Sequence, residues 1–420
     1  MTPTPDTTAT PPTPAWVTVL LAFACGAIVA NLYYSQPLIK LIAADTQMPL
    51  SAAGVLVTLS QIGYGLGLLL LVPLGDLVQA RKLVAALMGL ATLALVNAAL
   101  ADNATVFLAS AFAIGLGSVA AQVLVPFAAQ LAAPAQRGKA VGQVMSGLLF
   151  GILLARPLAS LLSTTGHWQT VFWLSAVLMG GLALVLLKYL PARRAALSAQ
   201  AGGEAGASAV GRYVRLIASL WPLLRDTPLL QRRAAYQAGM FGAFSLFWTA
   251  APLLLASPAY GFGQQGIALF ALVGAAGAFA APVVGRLADR GHTRGLTAAG
   301  LMLGALSFAI GLLAEPGGTL GLAALVVAAL VLDAMVAVTL ITGQRGIYSL
   351  GDAIRSRLNG LFMSLFFMGG ALGSALGGWA WAHGGWMRVS WVGGLFPCLA
   401  LLVFLLFDRP GARAQVETGH

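Results

Sequence analysis

Long stretches without a single charge dominate this chain, and they leave it few ways to fold. Asp, Glu, Lys and Arg together make up 8% of its 420 residues, while 59% are hydrophobic. Soluble chains carry roughly 25% charged residues, so most of this surface must face something apolar. Inside a bilayer every backbone N–H and C=O has to be paired within the protein, which restricts spanning segments to helices or closed barrels. The apolar runs are about twenty residues long, the length a helix needs to cross a hydrocarbon core roughly 30 Å thick. The 51 glycines suit helices that pack closely in lipid. The expected fold class is therefore an all-α integral membrane protein.

Cutting the chain at its charged and Pro/Gly-rich breaks gives twelve segments. They run approximately 16–38, 50–73, 83–101, 104–132, 139–162 and 168–190, then 233–256, 264–284, 295–314, 318–343, 357–380 and 386–407. Of the 23 Lys and Arg, 20 fall on the side of the termini; Lys40 and Arg388 fall on the other, and Arg156 lies inside a span. The positive-inside rule then places both termini in the cytoplasm of a multi-pass protein of the plasma (inner) membrane. The basic excess over 12 Asp and Glu punctuates apolar runs rather than clustering on a soluble domain, so nucleic acid is not an expected partner. Cys25 and Cys398 both lie inside such runs, which indicates neither a disulfide framework nor a metal site. The Thr/Pro-rich start has no basic n-region of a signal peptide, so the run after it is expected to be retained.

The two halves echo one another. Asp76 answers Asp289, and Ala101-Asp102 answers Ala314-Glu315, each 213 residues on. Arg137-Gly-Lys139 answers Arg355-Ser-Arg357, Met145-Ser146 answers Met363-Ser364, and Gly166-x-Trp168-x-x-Val171-x-Trp173 answers Gly384-x-Trp386-x-x-Val389-x-Trp391, all at 218. This ordered series predicts duplication into two six-helix bundles, 16–190 and 233–407, related by a pseudo-two-fold axis. Residues 1–15 and 408–420 read as cytoplasmic tails. The intervening 191–232 begins Ala/Gly/Ser-rich, like a flexible linker. From Arg212 to Trp221 it has apolar residues at helical spacing, which suits either a short helix on anionic lipid or one packed on the bundles.

Six plus six spans, a cytoplasmic central loop and charged motifs after spans two and eight resemble the major facilitator superfamily over nearly all of residues 16–407. The family signature Gly-x-Leu-Ala-Asp-Arg-x-Gly-Arg-Lys is close to Gly285-Arg-Leu-Ala-Asp289-Arg290-Gly291 with Arg294 following. Its first copy is worn: Leu74-Gly75-Asp76 with Arg81-Lys82, with Val72 and Gln79 in place of two glycines. The resemblance implies a latch between the halves built from Asp76, Arg81, Lys82, Gly285, Asp289 and Arg290; read without it, these charges cap helices and set topology. The Arg of the drug:proton antiporter branch is absent from Ala111–Gly117. The fifth-span signature of that branch is partial, with Gly142, Gly151 and Ala155 in place but Arg156-Pro157 where Pro is expected and Ala159 for the last Gly.

Two charges sit within spans. Asp333, in Leu330-Val-Leu-Asp333-Ala-Met-Val, lies near the middle of span ten. Ionised at mid-bilayer it costs about 2.5–3.5 kcal/mol on insertion scales, so it reads either as a proton- or substrate-coupling group or as neutral helix–helix glue. The resemblance places span ten beside a central cavity lined by spans one, four, seven and ten. Arg156 keeps its charge and needs water, an anion or a carboxylate; a structural role between the halves and anion binding both fit. Uncharged cavity candidates are Asn31 and Tyr34, sharing a face at i, i+3, with Gln122, Tyr236, Gln237 and Trp248. Tyr and Trp near helix ends also form interfacial belts.

No Gly-x-x-x-x-Gly-Lys-Ser/Thr run is present to bind nucleotide. The four histidines, His167, His292, His383 and His420, pair with no Cys or carboxylate at ligand spacing, so neither an enzyme nor a cofactor is expected. A lone central Asp in duplicated bundles points away from a channel lined by charge rings. The expected function is a monomeric secondary carrier of a small organic molecule, driven by protons. The family likeness favours efflux by antiport over uptake by symport.

Overall fold

The computed structural model describes residues 15–132, 136–164, 167–191, 209–275, 292–314, 317–351 and 354–408. Every regular element among them is helical. They are α1 Ala15–Ala30, α2 Ser35–Asp45, α3 Gly54–Leu70, α4 Ala80–Ala99, α5 Ala104–Ser118, α6 Ala120–Leu131, α7 Arg137–Leu162 and α8 Gln169–Tyr189. The linker helices are α9 Ala209–Ala218 and α10 Leu220–Arg225. Then come α11 Pro228–Leu255, α12 Gln264–Ala275, α13 Thr293–Gly311, α14 Gly318–Tyr348 and α15 Arg355–Phe407. Among the described residues nine helices are long and apolar enough to cross a membrane, or ten if the bent pair α1–α2 counts as one span.

Two breaks have local causes. The run expected to be one span over 16–38 bends by 41° between α1 and α2, which continues to Asp45. There the Asn31 side-chain amide turns back to donate to the Ile28 carbonyl at 3.0 Å and the Ala27 carbonyl at 3.3 Å, competing with the helical ladder. The 53-residue α15 is interrupted at Gly384–Gly385, where Gly385 has φ 58° and ψ −154°, a region open essentially to glycine. At the start of α5, Asn103 is an ordinary N-cap, its side chain accepting from Val106 N at 3.0 Å.

Lipid gives no hydrophobic drive between helices, so close backbone approach and van der Waals contact hold them together. A Cβ on Gly151 of α7 would run into the Gly26 backbone of α1; one on Gly373 of α15 would run into the Gly242 backbone of α11. A third seam joins α3 to α15: Gly54 lies against Ser374 and Gly378, Thr58 Oγ1 donates to Ala371 O at 3.0 Å, and Ser364 Oγ donates to Gly65 O at 2.9 Å. Facing outward are Val177, Leu184, Leu93 and Leu320, each at least 70% exposed, an apolar coat that suits acyl chains.

The start of α1 and the end of α15 are each tied to a neighbouring helix end. Trp16 packs edge-on against Tyr189 at 5.4 Å, Arg81 donates to Leu190 O at 3.2 Å, and Arg232 donates to Phe407 O. The linker helix anticipated near 212–221 is α9–α10, seated here by Tyr213 Oη on Leu70 O at 2.8 Å and by Arg357 Nη1 on Ser219 Oγ at 3.1 Å. Lys40 reaches from α2 to Ala256 O at 3.4 Å, beside a cavity of about 420 Å³ lined by Pro37, Leu41, Pro252 and Phe262.

Candidate functional site

The two intramembrane charges converge on one indole. Trp248, 1% exposed on α11, donates from Nε1 to Asp333 Oδ1 of α14 at 2.9 Å. The guanidinium of Arg156, from α7, lies over the Trp248 ring at 4.6 Å. Arg156 and Asp333 are not in direct ion-pair contact, yet each acts electrostatically on the other. Trp248 thus stands between an anion and a cation, presenting its N–H edge to one and its π face to the other.

Arg156 is 5% exposed and held by several groups. Its Nε donates to Gln36 Oε1 of α2 at 2.6 Å. Tyr33, in the α1–α2 bend, and Phe244, one helical turn before Trp248, face it at 4.9 and 5.0 Å. A desolvated cation–π contact is worth about 2 kcal/mol, so three rings replace part of the lost hydration. Two donors at this centre have no acceptor among the described residues: Arg156 Nη2 and Gln36 Nε2. On the other side, Gly274 of α12 makes room for the pair, since a Cβ there would meet the Trp248 ring and, at 2.9 Å, Asp333 Oδ2. Phe270 closes this edge at 5.6 Å from Trp248.

The remaining sequence candidates are distributed around this centre. Asn31 accepts from Ser175 Oγ at 2.5 Å, and Tyr34 reaches the same serine, so the shared face ties the bend to α8. Gln122 donates to Tyr64 Oη at 3.0 Å. Gln237 donates to Val336 O of α14 at 3.5 Å, and its buried Oε1 accepts from no donor among the described residues. Tyr236 lies twelve residues before Trp248 on α11, about 18 Å along the axis at 1.5 Å per residue. Its ring is packed by Phe404 and faced by Arg233 at 5.8 Å. Of the latch residues, Arg81 anchors Leu190 and Lys82 is exposed. Gly285, Asp289, Arg290 and the Asp76 side chain lie outside the described residues.

Sequence reading missed Gln36, Tyr33, Phe244 and Gly274, which become visible only when five distant segments are brought together. It also missed Gln61, whose Nε2 donates to Ser245 Oγ at 2.9 Å and links α3 to α11; a Gln inside an apolar run was the available signal. Arg233, where the seventh expected span begins, is buried in α11, donating to Thr297 Oγ1 at 2.9 Å and lying 3.7 Å from Asp408.

With this geometry in hand, the sequence profile of the Major Facilitator Superfamily matches residues 18–345. The chain is 40% identical over 386 residues to the transporter YgaY of Escherichia coli O157:H7, covering 92% of this chain and 94% of that one. It is 35% identical over 376 residues to a probable transporter of Streptomyces coelicolor, covering 89% and 84%. Among solved structures, a crystal structure of the nucleoside transporter NupG superposes with a TM-score of 0.74 at 14% identity, over 94% of this chain and all of the other.

Proposed function

Because the chain belongs to the major facilitator superfamily, we propose that it moves a small organic molecule by alternating access, driven by protons that bind and leave Asp333. The observation that carries this reading is the Trp248 indole held between Asp333 and Arg156, groups contributed by opposite halves of the sequence. A carboxylate whose field depends on a group across the interface changes its proton affinity when the halves move, which is how a carrier converts a proton gradient into motion.

Twelve spans account for the architecture. The bent α1–α2 pair is the first, α12 begins the eighth, and the Gly384–Gly385 break divides α15 into the eleventh and twelfth. The bundles are 16–190 and 233–407, joined through 191–232, with both termini on the basic, cytoplasmic side of the inner membrane and one chain as the working unit. The latch residues Asp76, Arg81, Lys82, Gly285, Asp289 and Arg290 then lie on that side, where they hold the halves until one opens.

Efflux by antiport agrees with the efflux-like resemblance. Uptake by symport is the second reading, and one observation favours it: a fixed cation, Arg156, already sits beside the carboxylate. Purified protein in proteoliposomes with an internal pH dye tests the proposal. Substrate addition should trigger proton movement that Asp333→Asn abolishes; its direction separates the two readings. Active substrate transport without proton movement, or a variant that behaves like the parent, removes Asp333 from the coupling path.

A further inference from the structure

A guanidinium in a low-dielectric setting is held at a cost unless each of its donors finds an acceptor. Arg156 meets that condition only in part. Gln36 takes Nε, three aromatic faces surround the planar group, and the nearest carboxylate is engaged across Trp248 rather than paired directly. Among the described residues Nη2 remains without an acceptor, and so does the Gln36 amide nitrogen beside it. Two donors at one buried cation make an anion-shaped vacancy in hydrogen bonding, and a planar guanidinium is suited to a carboxylate or similar oxyanion. The rings of Tyr33, Phe244 and Trp248 around it suit an apolar or aromatic body on the same molecule.

We propose that Arg156 is the anchor for the transported molecule, whose class is small organic monoanions carrying an apolar or aromatic body, with Gln36 Nε2 as a second donor to the anionic group. An amphipathic cation is disfavoured at this centre because it would meet a charge of its own sign that cannot be neutralised. The charged and titratable groups facing one another are Arg156 from α7, Asp333 from α14 and Tyr33 from the α1–α2 bend, with the Trp248 N–H on the carboxylate. When Asp333 carries a proton, the field of Arg156 is left to the substrate; when Asp333 is ionised, it competes with the substrate for that field. Proton and anion binding therefore reinforce one another, which favours the symport given above as the second reading over antiport. This consequence rests on the carrier reading with Asp333 as its proton site, whereas the anchor itself does not.

The test uses the full chain in detergent micelles and calorimetric titration with two isosteric triplets: benzoate, benzamide and benzylamine, then hexanoate, hexanamide and hexylamine. At least one anion should bind about tenfold or more tightly than its neutral and cationic counterparts, the size expected for a hydrogen bond to a charged group. Arg156→Gln should bring each triplet to parity. Gln36→Leu should weaken the anion alone, and Asp333→Asn should preserve or tighten its binding. Parity or a cation preference in the parent protein overturns the assignment, even if Arg156→Gln fails to fold; so does an anion preference that survives Arg156→Gln. Micelles carry no gradient, so failures separate cleanly. Anion binding without proton flux in proteoliposomes removes the coupling and keeps the anchor, while proton flux triggered only by a neutral or cationic member removes the anchor and keeps the coupling.

Discussion

Removing Arg156 and Asp333 together should harm the fold no more than removing either alone. The indole fixes how far apart the charges are: 4.6 Å from the guanidinium to the ring centroid and 2.9 Å from Nε1 to the carboxylate, hence a separation of no more than about 10 Å. At an effective dielectric near 20, two unit charges at that distance attract by about 1.7 kcal/mol or more. Arg156→Leu leaves the carboxylate without its cation, and Asp333→Asn leaves the guanidinium with Gln36 and three rings; the double variant leaves neither charge exposed to the imbalance. Equilibrium unfolding of all four proteins by SDS in mixed micelles at pH 8.5 should therefore give a coupling energy of at least about 1.7 kcal/mol. Repeating the cycle at progressively lower pH should shrink it, because a protonated Asp333 has no charge to contribute. Additivity within about 0.5 kcal/mol at pH 8.5 would show that the charges do not feel one another, and a coupling independent of pH would show that Asp333 does not take up protons over that range.

Three further outcomes follow from the packing and hydrogen bonds. Gly151→Ala and Gly373→Ala should each destabilise by about 1–3 kcal/mol through overpacking of a helix crossing, whereas Gly142→Ala, with nothing within 4 Å, should stay within about 0.5 kcal/mol in the same unfolding assay. Trp168→Phe removes a 2.7 Å bond to Asp45 Oδ2 and should cost about 1.5–3 kcal/mol, more than the roughly 0.5–1.5 kcal/mol for Trp386→Phe, which loses only the Gly311 carbonyl; the reverse order in thermal melts would refute that ranking. Asp408→Asn should loosen the end of α15, where Arg233 and Arg294 lie 3.7 and 3.9 Å from its carboxylate, and should speed proteolysis of the C-terminal tail several-fold while leaving cleavage of the α9–α10 linker unchanged.

The all-helical, membrane-spanning character was legible because the requirement is one-dimensional: a long uncharged run suits a helix that crosses, and nine or ten such helices stand among the described residues. The bend in the first was not, since it depends on an asparagine choosing its own helix's carbonyls over continued pairing, and the same residue type is tolerated inside many helices. Asp333 and Arg156 announced themselves as charges in apolar runs. What joins them did not, because Trp248, Gln36, Tyr33 and Gly274 are ordinary residues until α2, α7, α11, α12 and α14 meet. Tyr236 illustrates the converse. Its chemistry matched that of Trp248 and its helix is the same, yet three turns of rise place it among Arg233 and Phe404 instead.

At Gly54 and Gly378, α3 and α15 meet backbone to backbone with no side chain between them. Surfaces that part and meet again on every cycle usually carry a toll in rotamers that have to be frozen each time they close. If the carrier proposed above parts its halves at this seam, the two glycines have no rotamers to freeze, and the grip falls to the Thr58 and Ser364 hydroxyls that flank them.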